Sequence, residues 1–417
     1  MRSRADGGAL AMTSREATTG TRGPLARVAR ALERSGAVAA LAGTIESEHE
    51  FPLDSTAVST LALALLEQEN AGVDARWRAY CDALPGTVDS LLMWSDEELE
   101  ELQGSALRER AVFRRELVRR EYEALFPAVS LADPETFGDA EAFSFDAFRW
   151  AYATVLARAF VLPDLGCMAF LPGLDLYNSA RDAEKCTVER LDCADADAEE
   201  ADDGATLDES EAQVTLRVGI GGVSAGSQLF HDYADHASGG ALLEFGFAYH
   251  GDRERGIGSD ALDVSLSPAL ERLDARSRAF LVERDVFRRF GVRQSLTYEI
   301  SNVGGVYKPA LRGLECVKPE LWRAARALAL SPERPLPDSL DQPLDADTER
   351  RARALLLDIL ETDLSKYAAT TIERDLETLA EALAAGASRR REAAALEVRA
   401  GEKILLTDVI RALRALA

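Results

Sequence analysis

Positive charge is scarce in this chain. Its 417 residues carry 48 Lys and Arg against 72 Asp and Glu, a formal net charge of −24. A phosphate-binding surface needs clustered cations, so nucleic acid is not expected as a partner. Sulfur and imidazole are also sparse. The five cysteines (Cys81, Cys167, Cys186, Cys193, Cys316) are scattered, odd in number and form no C-x-x-C, which suits free thiols in a reducing compartment. The four histidines (His49, His231, His236, His250) do not interleave with them at ligand spacing, so no metal site is expected. His231 and His236, five apart, read as loop or strand-end residues. No run of about 20 apolar residues occurs, so no helix should span a bilayer and no membrane partner is expected.

What is present suits a globular protein. The hydrophobic fraction of 47% excludes wholesale disorder, and the length suits two or three domains. An intracellular location is expected, with cytoplasm, nucleus and plastid all open. Met1 to Gly23 carries four Arg, several Ser and Thr, and only Asp6 and Glu16. Transit peptides and disordered tails share that composition.

Periodicity near 3.6 predicts helices over 26–41, 56–68 (capped from Asp54 or Ser55), 76–83, 106–126 and 145–160 (capped from Ser144). Ser95 followed by Glu98 is a capping box. At Cys167 the texture changes. A short apolar stretch is broken by Pro172 and Gly173, and 214–220 and 228–233 read as strands. The acidic run from Glu189 to Glu211 reads as a solvated insertion, or as a device that selects substrates. Beyond about Ser265 the pattern is helical again, over 281–290, 319–328, 346–360, 371–384 and 389–416. A proline-rich loop holds Pro332, Pro335, Pro337 and Pro343. Gly219-Ile220-Gly221-Gly222 lacks the full glycine fingerprint and a following helix, so it reads as strand-turn glycines. No G-x-S-x-G occurs.

Three segments carry the chemistry together. They are Trp150 to Phe160 (WAYATVLARAF), Phe170 to Ser179 (FLPGLDLYNS), and Gly226 to Tyr233 (GSQLFHDY) followed by Leu242-Leu243-Glu244-Phe245-Gly246-Phe247. In order and spacing they resemble SET-domain methyltransferases of the Rubisco large-subunit lysine methyltransferase type. The likeness extends upstream through Trp77-Arg78-Ala79-Tyr80 and Trp94 to Gly104, similar to that family's helical insert. Downstream, Tyr367 to Asp375 and Arg399 to Leu405 are similar to its helical substrate-binding domain. It covers about residues 56 to 417.

The resemblance implies an α+β fold: a small-sheet SET domain with a helical insert, followed by an all-helical C-terminal domain. The corresponding boundaries are a divergent or disordered region over 1–55, a SET-like domain over 56–264 with its insert at about 56–143, and a substrate-binding domain over 265–417. It implies S-adenosylmethionine as cofactor, a protein substrate, a monomer, and lysine as acceptor, with histidine known in the wider family. By position, Tyr233 matches the catalytic tyrosine. Arg158, Asn178 and Ser179 match cofactor-binding positions, and Phe245 stands at a substrate channel. Each also has a plainer reading: a buried strand tyrosine, a helix-end arginine favoured by the macrodipole, turn residues, and a core phenylalanine. The chemistry is demanding, because a lysine of pKa near 10.4 loses its proton at pH 7 at a cost of about 4.6 kcal/mol. A dry aromatic channel beside a sulfonium lowers that cost by desolvation and like charge.

The match departs from the family at Ser179 (where it has His), Ala157 (Ser), Ala234 (Gly) and Phe245 (Tyr). Arg22-Gly23-Pro24-Leu25-Ala26 is only an echo of its first glycine turn. If residues 1–55 do not complete the cofactor pocket, the alternative is a catalytically weak or inactive SET-like protein-binding adaptor.

Overall fold

The computed structural model describes residues 12–13, 25–39, 56–71, 77–162, 167–179, 185–191, 213–218, 222–231, 233, 236–304 and 309–416. Asp54, Ser55, the Arg22–Pro24 echo, Gly219 to Gly221 and most of the acidic run lie outside them. The chain divides into two compact units, Met1–Met93 with Phe113–Ala234, and Trp94–Val112 with Asp235–Ala417.

The first unit is built around the helix Ala57–Asn70, in which every residue from Ala57 to Gln68 is buried. It packs on the helix Phe145–Arg158, whose Ser144 side chain accepts the Ala147 N–H as the sequence predicts. A helix buried on all faces must find internal partners for its polar groups. Thr60 Oγ1 donates to the Thr56 carbonyl at 3.0 Å. Ser59 donates to the buried Glu121 carboxylate of the helix Ala106–Ala132. That helix outruns its expected end at Phe126: it continues past Pro127, because buried Leu125 and Val129 anchor both sides of the proline in the core. Trp150 Nε1 donates to the Pro85 carbonyl at 3.2 Å, tying the Leu84-Pro85 turn to the core.

Burial pushes the Glu121 carboxyl up to about 7 from 4.5, against hydrogen bonds from Ser59 and Tyr152 that favour the charged form. Its folded value is raised, so the stability it confers is full below 4.5 and is lost as pH rises through about 7. Glu121→Gln is therefore expected to stabilise this unit at pH 8 by about 1–3 kcal/mol and to flatten the pH dependence between 5 and 7. Urea melts across that range test it. A variant less stable than the parent at pH 8 would contradict the assignment.

Two small sheets complete this unit. β1 (Met12–Thr13), β2 (Phe160–Leu162) and β3 (Cys167–Phe170) form an antiparallel sheet in the order β1-β3-β2, with Met12 opposite Phe170. β4 (Lys185–Leu191) pairs antiparallel with β5 (Gln213–Arg217) and parallel with β6 (Phe230–His231).

In the second unit the Ser95–Glu98 box forms as expected: Ser95 Oγ accepts the Glu98 N–H, and Glu98 accepts the Ser95 N–H at 2.7 Å. The helices Pro319–Ala329, Ala346–Ser365, Ile372–Ala385 and Arg390–Ala415 match their expected positions closely. The helix expected over 281–290 is instead two, Ala275–Glu283 and Val286–Arg289, broken where Asp285 takes a left-handed φ of 49°. Among the described residues one strand interrupts the helical stretch after Ser265: β8 (Thr297–Ser301), antiparallel to β7 (Ala261–Ser265). Its Tyr298 and Ile300 are buried in the helical core, which an alternating strand face achieves in five residues. Among the described residues no helix is long and apolar enough to cross a membrane.

Gly401 sits in the interior of the Arg390–Ala415 helix, where glycine ordinarily costs about 1 kcal/mol relative to alanine. Here a Cβ would lie 1.8 Å from Asp260 Oδ1. Asp260 is itself buried and held by the Asn302 side-chain amide at 2.8 Å. Gly401→Ala is thus expected to destabilise by about 2–3 kcal/mol, reversing the sign given by helix propensity. Thermal melts of the single variant check this, and a raised Tm would refute it.

Candidate active site

One carboxylate organises the site in the first unit. After β3 the chain turns through Pro172 and Gly173, the latter at a φ of 90°. This brings Asp175 back into the core with no exposed side-chain area. A buried charge needs partners on every side, and Asp175 has three. Tyr80 donates its hydroxyl to Oδ2 at 2.8 Å, the Gly173 N–H donates to Oδ1 at 3.1 Å, and Arg158 Nη1 faces Oδ2 at 3.5 Å. Arg158 also donates to the Asp175 carbonyl at 3.2 Å. It lies in the last turn of Phe145–Arg158, where the helix dipole favours a cation.

Two residues on, the chain meets the third segment. Tyr233 donates its hydroxyl to the Tyr177 carbonyl at 2.7 Å. The Asn178 carbonyl accepts the His231 N–H at 2.8 Å and makes a parallel bridge with Phe230, so backbone pairing locks the Asn178–Ser179 turn against β6. Asn178 is exposed and Ser179 half-buried. The His231 ring stands edge-on to Phe160, 5.1 Å between centroids, and 5.9 Å from Tyr233. Burial pushes the Tyr233 phenol above its ordinary value of 10; the Asp175 charge adds to this and Arg158 opposes it. Burial and the Asp175 carboxylate drive the Tyr80 phenol up in the same way. Both hydroxyls therefore stay protonated donors at neutral pH.

The structure thus brings together Arg158, Asn178, Ser179 and Tyr233, which lie up to 75 positions apart in the chain. β1 pairs with β3 directly before the turn that carries Asp175, so N-terminal backbone belongs to the same sheet. Phe245 falls in the second unit, at the end of the helix Ser238–Glu244. Its ring meets His236 edge-on at 5.2 Å and stacks near Phe247 at 6.1 Å. Tyr80 and Asp175 were not among the expected site residues. The signal for Asp175 was a lone acid between leucines, Leu174-Asp175-Leu176, where an unpaired charge is costly.

Known proteins agree with this architecture. The Rubisco LSMT substrate-binding family matches residues 314–406. The ribulose-1,5 bisphosphate carboxylase/oxygenase large subunit N-methyltransferase of Pisum sativum is 34% identical over 116 residues, 28% of this chain and 23% of that protein. The [fructose-bisphosphate aldolase]-lysine N-methyltransferase of Arabidopsis thaliana is 32% identical over 119 residues, 28% of this chain and 24% of that protein. The matched stretch is therefore about a quarter of each relative's length. The solved SET domain of LSMT, bound to lysine and AdoHcy, superposes with a TM-score of 0.64 over 92% of this chain and 79% of the other, at 22% identity. The chain accordingly has a fold similar to that of the LSMT SET-domain structures, and its residues 314–406 match the Rubisco LSMT substrate-binding family.

Proposed function

We propose that this chain is an S-adenosylmethionine-dependent protein-lysine N-methyltransferase. The observation that carries this reading is the meeting of Arg158, the Asp175–Ser179 turn and Tyr233 in one unit. The donor set suits the cofactor. A guanidinium with N–H groups beyond those on Asp175 fits the methionine carboxylate. The exposed Asn178 side chain and half-buried Ser179 offer amide and hydroxyl groups to its polar end. S-adenosylmethionine supplies a methyl group activated by a positive sulfur. Tyr233 would orient the methyl and the attacking amine with a hydroxyl already fixed by the Tyr177 carbonyl. In this reading the SET-like portion spans 56–264, and the domain after 265 docks a protein substrate. The enzyme acts as a monomer, and its compartment is intracellular. The pairing of β1 with β3 puts N-terminal backbone in the sheet that leads into the Asp175 turn, which supports this reading over the adaptor alternative.

The test is transfer of labelled methyl from S-adenosylmethionine to a size-fractionated protein extract, followed by amino-acid analysis. Label in methyl-lysine is the expected outcome. Label in methyl-histidine alone would move the acceptor, and no label in any fraction would remove the assignment.

A further inference from the structure

The buried hydrogen-bond system behind the candidate site does more than fill the core. Asp175 links both halves of it. Its carboxylate and carbonyl hold Arg158, and its backbone leads in two residues to the Tyr177 carbonyl that fixes Tyr233. Asp175 is in turn held by Tyr80, a residue about 95 positions away on the short helix Arg78–Cys81. The Tyr80 ring is clamped between Trp77, edge-on at 5.9 Å, and Phe170 at 5.8 Å. Phe170 ends β3, so the clamp sets where the turn begins. We infer that Tyr80 and Asp175 are positioning residues for methyl transfer: the Tyr80 hydroxyl fixes the Asp175 carboxylate, which presets the Arg158 guanidinium for the donor's carboxylate and the Tyr177 carbonyl for the Tyr233 hydroxyl. The inference rests on the function proposed above.

The geometry gives each residue a distinct task. Arg158 is partly exposed, with 23% of its side chain accessible, and a long side chain at a helix end samples many rotamers when free. Hydrogen bonds to the Asp175 carboxylate and carbonyl remove most of that freedom before a ligand arrives, the saving that preorganisation gives. Without Tyr80 the carboxylate would keep only Arg158 and the Gly173 N–H as partners and would be free to turn between them. The Tyr80 hydroxyl donates to Oδ2, the same oxygen that Arg158 faces, and so fixes where that oxygen lies.

The test compares three variants of the full chain by calorimetric titration with S-adenosylhomocysteine, by steady-state kinetics and by thermal melting. Tyr80→Phe keeps the ring and its clamp and loses only the hydroxyl. Asp175→Asn keeps the shape and loses the charge. Tyr122→Phe is the control, because its hydroxyl too is a donor inside this unit, but to the Phe143 carbonyl at 2.9 Å and not to Asp175. The inference predicts that Tyr80→Phe and Asp175→Asn weaken S-adenosylhomocysteine binding roughly 10- to 100-fold and lower kcat, whereas Tyr122→Phe loses a similar amount of thermal stability with binding unchanged. For Asp175→Asn it also predicts that the alkaline limb of the rate profile moves to lower pH. Arg158 then acts on the Tyr233 phenol without the opposing carboxylate, while Tyr80, Tyr177 and His231 around it are unaltered. Binding within twofold of the parent in both site variants would overturn the inference and leave the proposed function standing. So would equal weakening in all three variants, which marks a stability effect alone. If Tyr80→Phe does not fold, Asp175→Asn decides by the same readings. Failure of the parent chain itself to bind S-adenosylhomocysteine would sink the proposed function, and this inference with it.

Discussion

Replacing Tyr233 with phenylalanine is expected to lower the methyl-transfer rate by about 100- to 1,000-fold, the range seen when one preset donor is removed from a reacting centre. Affinity for S-adenosylhomocysteine should change by less than about threefold. The asymmetry comes from what the hydroxyl does. It donates to the Tyr177 carbonyl, a backbone atom, which fixes the direction of the O–H. Losing it removes alignment of the reacting groups but leaves Arg158 on Asp175 and Asn178 on β6. The stability cost is that of one hydrogen bond, about 1 kcal/mol. The phenol is also held above 10, so ionisation of Tyr233 should cause no rate loss at or below neutral pH. Single-turnover rates beside calorimetry on the same preparation check both halves. A variant that retains more than a tenth of the parent rate would remove Tyr233 from the chemistry.

The second large effect is structural and lies within the matched substrate-binding domain. Asp375, on the helix Ile372–Ala385, accepts a two-pronged contact from Arg399, with Nη2 to Oδ1 at 2.7 Å and Nε to Oδ2 at 3.1 Å. It accepts a third from Lys403 Nζ at 2.6 Å. The three side chains are 0%, 5% and 3% exposed. Arg399 and Lys403 are one helical turn apart, so both cations converge on a single carboxylate. Lys403 further donates to the Thr370 carbonyl at 2.6 Å, and Arg399 to the Glu101 carbonyl at 2.8 Å. Asp375→Ala strands two buried cations and should cost this unit about 3–5 kcal/mol. The triple change Asp375→Leu, Arg399→Met, Lys403→Leu should recover most of that, because a satisfied buried ion network adds little over an apolar core of the same volume. Burial by itself raises the Asp375 carboxyl, but the hydrogen bonds from Arg399 and Lys403 outweigh it and hold the group below 3.8. Its contribution is therefore full above 3.8 and fades as pH falls through the lower folded value. Denaturant melts of the single and triple variants decide it. Equal losses in the two would mean that packing volume, not stranded charge, sets the cost.

Much of this architecture was readable before the structure. The helices at 319–329, 346–365, 372–385 and 390–415 announce themselves because each has an apolar stripe, and the Ser95 and Ser144 caps because the capping chemistry is local. β8 escaped that reading, since five residues alternating in burial amid helices give too short a period to weigh. The break at Asp285 escaped because a left-handed residue other than glycine has no marker in the pattern. At the site, resemblance pointed to Arg158, Asn178 and Tyr233, whose meeting depends on long-range pairing. The Tyr80–Asp175 contact that organises them spans far more of the chain than any periodicity reports. Buried polar pairs of this kind are set by tertiary structure; the local hints are a charge set among leucines and its place in the Pro172–Ser179 segment that carries the resemblance.

The central claim is that three distant segments form one binding site, and hydrogen–deuterium exchange with and without S-adenosylhomocysteine tests it most directly. The account predicts slowed exchange on binding in all three: 156–160, 173–179 and 229–233. The His231 amide on the Asn178 carbonyl should be among the protected positions. Binding that protects amides elsewhere and leaves these three stretches unchanged would contradict it.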